Sequence, residues 1–237
     1  MTLQELIDRC RDRSLDKAIP PFWDDWQWTD ALNEAETEAC IRARLIDDDA
    51  IQAFAASGDA YISLPARAFS VRRVTVGGVK VEMSSAEYLD HVLGLNWESS
   101  TGTPAWCYRV GNRLRLVPVP TSDADVVIEA FCTPSSPMDL SESDSASPEI
   151  AERLHGRLVH WALHLYYSTP DADYADQSLA DRHEAAFVAT FGPRPDEVEM
   201  RRTSSRPVRP VRCSFFWPAV AKPMAGLHSR TTDDDAN

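Results

Sequence analysis

The segment with the most chemical promise is ERLHGRLVHWALH, residues 152–164. It holds a Glu-x-x-His step, Glu152 to His155, and a His-x-x-x-His step, His160 to His164. Three of the chain's six histidines thus fall within ten residues. Both spacings occur where helices present metal ligands. Helical periodicity argues otherwise. At about 100° per residue, Ile150, Leu154, Leu158, Trp161 and Leu165 gather within ~80° and define the expected buried stripe. His155 then lies ~100° to one side of its centre, and His160 and His164 lie ~120° and ~80° to the other. Histidines so spread do not share one ion. A di-iron carboxylate site needs two Glu-x-x-His steps and two further inward glutamates. A zinc protease needs H-E-x-x-H. Neither pattern is present. The expectation is partly exposed histidines at the borders and back of a helix, with no metal and no cofactor.

Other candidates weaken on inspection. His183 shares a helical stripe with Leu179, Ala186, Phe187 and Thr190. There it is either a catalytic base or a buried imidazole with one hydrogen-bond partner, and the second reading is the ordinary one. Asp171, Asp173 and Asp176 open like a calcium loop. Asp176 stands where that loop needs glycine, however, and Arg182 where it needs glutamate, so helix capping is the better role. The cysteines Cys10, Cys40, Cys107, Cys132 and Cys213 form no C-x-x-C pair. They read as free, buried thiols in a reducing compartment. No G-x-S-x-G, Walker loop or G-x-G-x-x-G occurs, and glycines number only nine. A phosphate cradle built on glycines is therefore not expected.

The elements that position these residues can be read from period and punctuation. A first helix is predicted over 2–16, with Leu3, Leu6, Ile7 and Cys10 on one side. The linker AIPPFWDDWQW follows, and its three tryptophans need packing partners. A second helix is predicted from a cap at Thr29 or Asp30 to Asp47. Leu32, Ala35, Ala39, Ala43 and Ile46 form one stripe on it, and Ile41 and Leu45 face the opposite side. The second face suits either a subunit interface or a fully internal helix. From residue 58 the period becomes two. Hairpins are predicted across Gly77-Gly78 and Gly111-Asn112, a short helix at 85–94, and a strand at 125–134. Ser147-Pro148-Glu149 reads as the start of a third helix running to Ser168. A fourth is predicted from Tyr174 to Phe191. The expected fold class is α+β: a bundle of about four helices from 1–57 and 135–200, an inserted antiparallel β-sheet or sandwich over 58–134, and an extended tail over 201–237.

Charge is unevenly placed. The net charge is −13, yet residues 201–230 carry +7 without an acid. The last three aspartates contribute −3, which leaves −17 on the first 200 residues. No apolar run reaches membrane-spanning length, and the N-terminus lacks the apolar stretch of a signal peptide. The tail segment SRPVRPVRCSFFWP combines Arg206, Arg209 and Arg212 with Phe215, Phe216 and Trp217. It suits docking into an acidic protein groove with the aromatics as anchors, a nucleic-acid arm, or a disordered end. The acidic body disfavours DNA binding by the whole protein.

The ordered pieces WTDALNEAETEACIRARLI, GDAYISLP with its valine-rich hairpin, EYLDHVLGLNWESSTGTPAWCYRVGNRLRLVPVP, and PEIAERLHGRLVHWALHLYYSTPDADYADQSLADRHEAAFVATFG span roughly residues 20–195. In that order they resemble the head-to-tail adaptor (connector) proteins of tailed bacteriophages, close to the tail tubular protein A type. The resemblance implies a structural virion protein at the head–tail junction, made in the host bacterial cytoplasm and not an enzyme. It implies a homo-oligomeric ring of twelve copies docked on the portal protein. DNA would pass through without specific binding, and a nozzle or tail terminator would attach below. Under it, Ile41 and Leu45 would face a neighbouring subunit, and Arg206, Arg209, Arg212, Phe215, Phe216 and Trp217 would reach the portal. The rival reading is a nucleic-acid-binding accessory protein using the basic 201–230 segment.

Overall fold

The first helix, α1 (Leu3–Ser14), begins with a reciprocal cap. Thr2 Oγ1 accepts the Glu5 N–H, and the Glu5 carboxylate accepts the Thr2 N–H. As expected, Leu3, Leu6, Ile7 and Cys10 are buried. The computed structural model describes residues 1–196 except Lys17, Leu95 and Asp171. The second helix, α2 (Asp25–Ala43), starts four residues before the predicted cap. Gln27 Oε1 accepts the Asp24 N–H at 2.9 Å, so the helix begins inside the tryptophan-rich linker. It also stops short of Asp47: Arg44 turns left-handed at φ 53° and closes the helix on Cys40 O. Ile46 therefore belongs to a strand.

That strand, β1 (Ile46–Ala55), was not foreseen, and it moves the start of the strand region from 58 to 46. The others are β2 (Tyr61–Ser63), β3 (Ala68–Val76), β4 (Val79–Met83), β5 (Thr101–Gly102), β6 (Trp106–Val110), β7 (Arg113–Val117), β8 (Val119–Pro120) and β9 (Ala124–Cys132). Helix α3 (Ala86–Leu93), the short helix predicted at 85–94, lies between β4 and β5 and is capped by Ser85, whose Oγ accepts the Tyr88 N–H. Seven strands form one sheet in the order β1-β9-β3-β4-β6-β7-β2, and β5 pairs β8 separately. The sheet curls until its edge strands β1 and β2 approach each other. The predicted hairpins are present at β3–β4 and β6–β7. Gly77 and Gly78, at φ 56° and 80°, supply the left-handed turn that a two-residue connection needs.

The sheet is mixed rather than antiparallel. β4 pairs β6 in parallel, as does β5 with β8. For β4 and β6 the cause is α3: a helical crossover returns the chain to the same end of the sheet, so the strand that pairs β4 runs the same way.

Helix α4 (Glu152–Tyr167) begins after the predicted Ser147-Pro148-Glu149 start. The backbone there is committed elsewhere. The Glu149 N–H donates to Glu36 Oε1 at 2.6 Å, and the Glu149 carboxylate accepts the Ser135 N–H at 2.7 Å. Helix α5 (Gln177–Phe191) also starts late, because Tyr174 leaves the helix to stack on Tyr166 with centroids 4.3 Å apart. Asp176 caps it, accepting the Ser178 and Leu179 N–H groups.

Among the described residues the architecture is mixed α+β with five helices and a curled seven-stranded sheet. Residues of α1, α2, α4 and α5 share one core that includes Trp28, Tyr166 and Phe187. A second core, of Val74, Ile128, Leu114 and Leu116 among others, fills the inside of the sheet. Trp97, Leu89 and Val117 form a third under α3.

Candidate assembly surfaces

The histidines of α4 are placed by the helices around it. α4 packs against α1, α2 and α5, so its buried arc is broad and turned from the predicted stripe. His155, Leu158, Val159, Ala162, Leu163, Tyr166 and Tyr167 are buried, while Leu154, Trp161 and Leu165 are half-buried at one border. His155 was expected at the edge and is instead inside. Its Nε2 lies 2.8 Å from Ile150 O and so carries the proton, leaving Nδ1 to accept from the Met1 ammonium at 3.2 Å. His155 thus ties the N-terminus to the start of α4.

His160 reaches α5. Arg13 Nη1 points at His160 Nε2 (3.4 Å), and His160 Nδ1 lies 3.0 Å from His183 Nδ1. With Arg13 donating, the bridging proton belongs on His160. His183 stacks parallel to Tyr167, has His160 as its hydrogen-bond partner and is half-buried. Burial, then Arg13, His183 and Arg157, push His160 down to about 4. Burial, then Arg13, Arg182 and His164, lower His183 too. His164 faces Ala180 O instead. Among the described residues no three His, Cys, Asp or Glu side chains group so as to hold a metal ion.

Acids fasten the same helices. Buried Glu36 accepts the Glu149 and Ile150 N–H groups. Its carboxyl is raised above the usual range, chiefly by burial. Glu38 pairs with Arg42 at 2.8 Å, and the Arg42 guanidinium covers the Trp161 and Phe187 rings. Cys10, Cys40, Cys107 and Cys132 are buried free thiols, as expected. Burial pushes Cys40 and Cys107 up to about 12, so neither offers a thiolate at neutral pH. Nothing in these clusters is arranged as a nucleophile with a base. They hold helices together.

The outward features are of another kind. Between the end of α1 and the first turn of α2, Leu15, Ile19, Phe22 and Trp26 are 77%, 98%, 52% and 56% exposed. The linker's tryptophans divide: Trp23 and Trp28 enter the core beside Tyr166, and Trp26 faces solvent. On the sheet, the outer side of β2-β7-β6 carries Tyr61, Arg115 and Tyr108 in one row and Ser63, Arg113 and Val110 in the next. Arg113 and Arg115 lie over the Tyr61 ring, and Arg115 also covers Trp97. Neither surface was singled out in the sequence. The linker's tryptophan content was the available signal for the first, and the Arg-x-Arg alternation of β7 for the second.

Of the expected interface residues, Ile41 is half-buried in the last turn of α2 and belongs to none of the three cores. Leu45 lies beyond the helix end and packs against the helical core, so the two do not share a helix face. Arg206, Arg209, Arg212, Phe215, Phe216 and Trp217 lie outside the described residues.

A model of the SU10 adaptor protein family matches residues 1–211, a span that takes in both the helices and the sheet. No curated protein matches the chain.

Proposed function

The chain belongs to the SU10 adaptor protein family, a group of structural bacteriophage proteins, and on that premise we propose that it forms a ring at the head–tail junction. In this reading the ring, of twelve copies, docks on the portal protein, continues the DNA channel and offers a platform to a nozzle or tail terminator. The observation that carries the reading is the family match, which extends through every described element and into the arginine-rich tail. The tail tubular protein A type enters this proposal only through the order of segments in the sequence.

Two physical features support it. The −17 body is a wall along which DNA slides rather than sticks. Large apolar side chains stand outside every core, as they do on a subunit made for assembly. Ile41 is a candidate contact to a neighbour. Leu45, which packs against the helical core, is a second such candidate, and Arg206, Arg209, Arg212, Phe215, Phe216 and Trp217 are the candidate portal anchors. No catalytic role is proposed. No described helix is long and apolar enough to cross a membrane, and the proposed place of the protein is the virion after synthesis in the host cytoplasm.

The test is electron microscopy of the full chain mixed with purified portal. Rings seated on the portal are expected, and removal of residues 201–230 should abolish them. Salt-sensitive DNA binding lost on the same deletion, with no portal attachment, would favour the accessory-protein reading instead.

A further inference from the structure

A closed ring has heterologous contacts: each subunit offers one surface to its left neighbour and a different one to its right. Among the outward surfaces of the described residues, two are of unlike composition and each belongs to a different core. The first is the strap from Leu15 to Trp26, which packs over the helical core through Trp23. From Leu15 to Asp30 the chain carries four acids, Asp16, Asp24, Asp25 and Asp30, and one base, Lys17. Asp24 and Asp30 are exposed there beside Phe22 and Trp26. Asp25 is paired with Arg11, whereas Asp30 makes no ion pair among the described residues. The second is the outer side of β2-β7-β6. From Ala105 to Ser122 the chain carries three arginines and no acid. Arg115 is held by Tyr61 and Glu98. Arg113, at the exposed end of β7, lies over Tyr61 and makes no ion pair among the described residues. Val110, opposite it, is exposed.

We propose that these surfaces are the two halves of one contact between copies of this chain: the acidic strap carrying Ile19, Phe22 and Trp26 lies on the Tyr61–Val110–Arg113 face of the next subunit. The inference rests on the ring reading and names its interface. Charge selects the occupant. An acidic apolar strap repels DNA, and an arginine laid over a tyrosine ring is built to receive carboxylates and aromatic edges together. Trp26 has the character of a central anchor, being large, exposed and without a hydrogen bond to its indole N–H among the described residues.

The contact is tested with two full-length variants altered only at exposed positions. Ile19→Asp with Trp26→Asp disables the strap; Val110→Asp with Arg113→Glu disables the face. Unchanged melting temperatures establish that both fold. Association is read by sedimentation velocity and by occupancy on purified portal. Each variant alone should associate at least about tenfold more weakly than the unaltered chain. An equal mixture should form dimers and stop there, because one intact strap then meets one intact face. Variants that assemble like the unaltered chain, or a mixture that stays monomeric, would overturn the proposal. So would an unaltered chain that remains monomeric both alone and on the portal. Loss of DNA binding rather than of self-association in the face variant would assign that face to nucleic acid and overturn it as well. Portal attachment by the unaltered chain separates the two levels. Its absence sinks the adaptor reading, and its presence with undisturbed assembly of both variants sinks only this contact.

Discussion

The helical core and the sheet core are held by different chemistry. The helices close around a stack of Trp23, Trp28, Tyr166 and Tyr174, and they are fastened by polar groups: buried Glu36 on two backbone N–H groups, buried Glu38 on Arg42, and the half-buried His160–His183 pair. The sheet interior is valine, leucine, isoleucine, alanine and cysteine. Its charges lie outside, where Arg72 bridges Asp47 and Glu129. The difference teaches where each region is vulnerable. A curled sheet satisfies its own backbone, so its inside can be wholly apolar. Helices joined by long excursions need directional contacts to fix their angles, and those contacts bring titratable groups indoors.

Four perturbations break or sharpen this contrast. The largest effect is expected where the two cores behave alike. Trp28→Ala should cost ~3–5 kcal/mol and Leu114→Ala ~2–5 kcal/mol in chemical denaturation, since both side chains are fully buried. The next separates the cores. Glu38→Ala strands a buried guanidinium and should cost about 3 kcal/mol, whereas Arg72→Ala, on a half-exposed pair, should cost about 1 kcal/mol or less. Equal costs would erase the distinction.

The third is pH. Both imidazoles titrate lower in the folded chain than their usual ~6.5. A depressed histidine contributes stability that is fully present above its unfolded value and is lost as pH falls toward the folded one. The helices should therefore weaken between about 6.5 and 4. In thermal melts at several pH values, His160→Gln with His183→Gln should flatten that loss. A slope unchanged by the double substitution would remove the pair from the account. The smallest effect is Glu36→Gln. A raised carboxyl contributes stability below its unfolded value and loses it as pH rises through the folded one, so at neutral pH the ionised group is the disfavoured form. Gln keeps an acceptor for Glu149 and Ile150 and should raise neutral-pH stability by about 1 kcal/mol or less.

Local punctuation made much of the fold legible. Gly77-Gly78 and Gly111-Asn112 announced their hairpins, Asp176 its cap, and Leu3, Leu6, Ile7 and Cys10 their face. What stayed hidden depended on distant partners. β1 opens with Ile46-Asp47-Asp48-Asp49, a poor strand by composition, but Arg72 and Arg67 satisfy Asp47 and Asp48 across the fold. The start of α2 was masked by Pro20-Pro21 and a run of aromatics. On α4 the apolar stripe misled because three neighbouring helices enclose more than one stripe, and because His155 and Tyr166 can be buried once Ile150 O, Met1 and the aromatic stack receive them. Substitution of His155 by Ala should therefore loosen the N-terminus from α4. The outward surfaces were illegible in a deeper sense, since exposure of Ile19 and Trp26 is decided by which neighbours Trp23 and Trp28 claim first.

The position of α4 also sets a timetable. Leu3 donates its N–H to Ala146 O, and α1 and α2 find their main partner in a helix whose first residue is Glu152. All strands of the large sheet lie between Ile46 and Cys132. During synthesis the sheet is complete while α1 and α2 still lack the surface they must cover. The helices α1 and α2 leave the ribosome before the sheet and are seated after it, and their apolar faces wait through more than a hundred residues of chain.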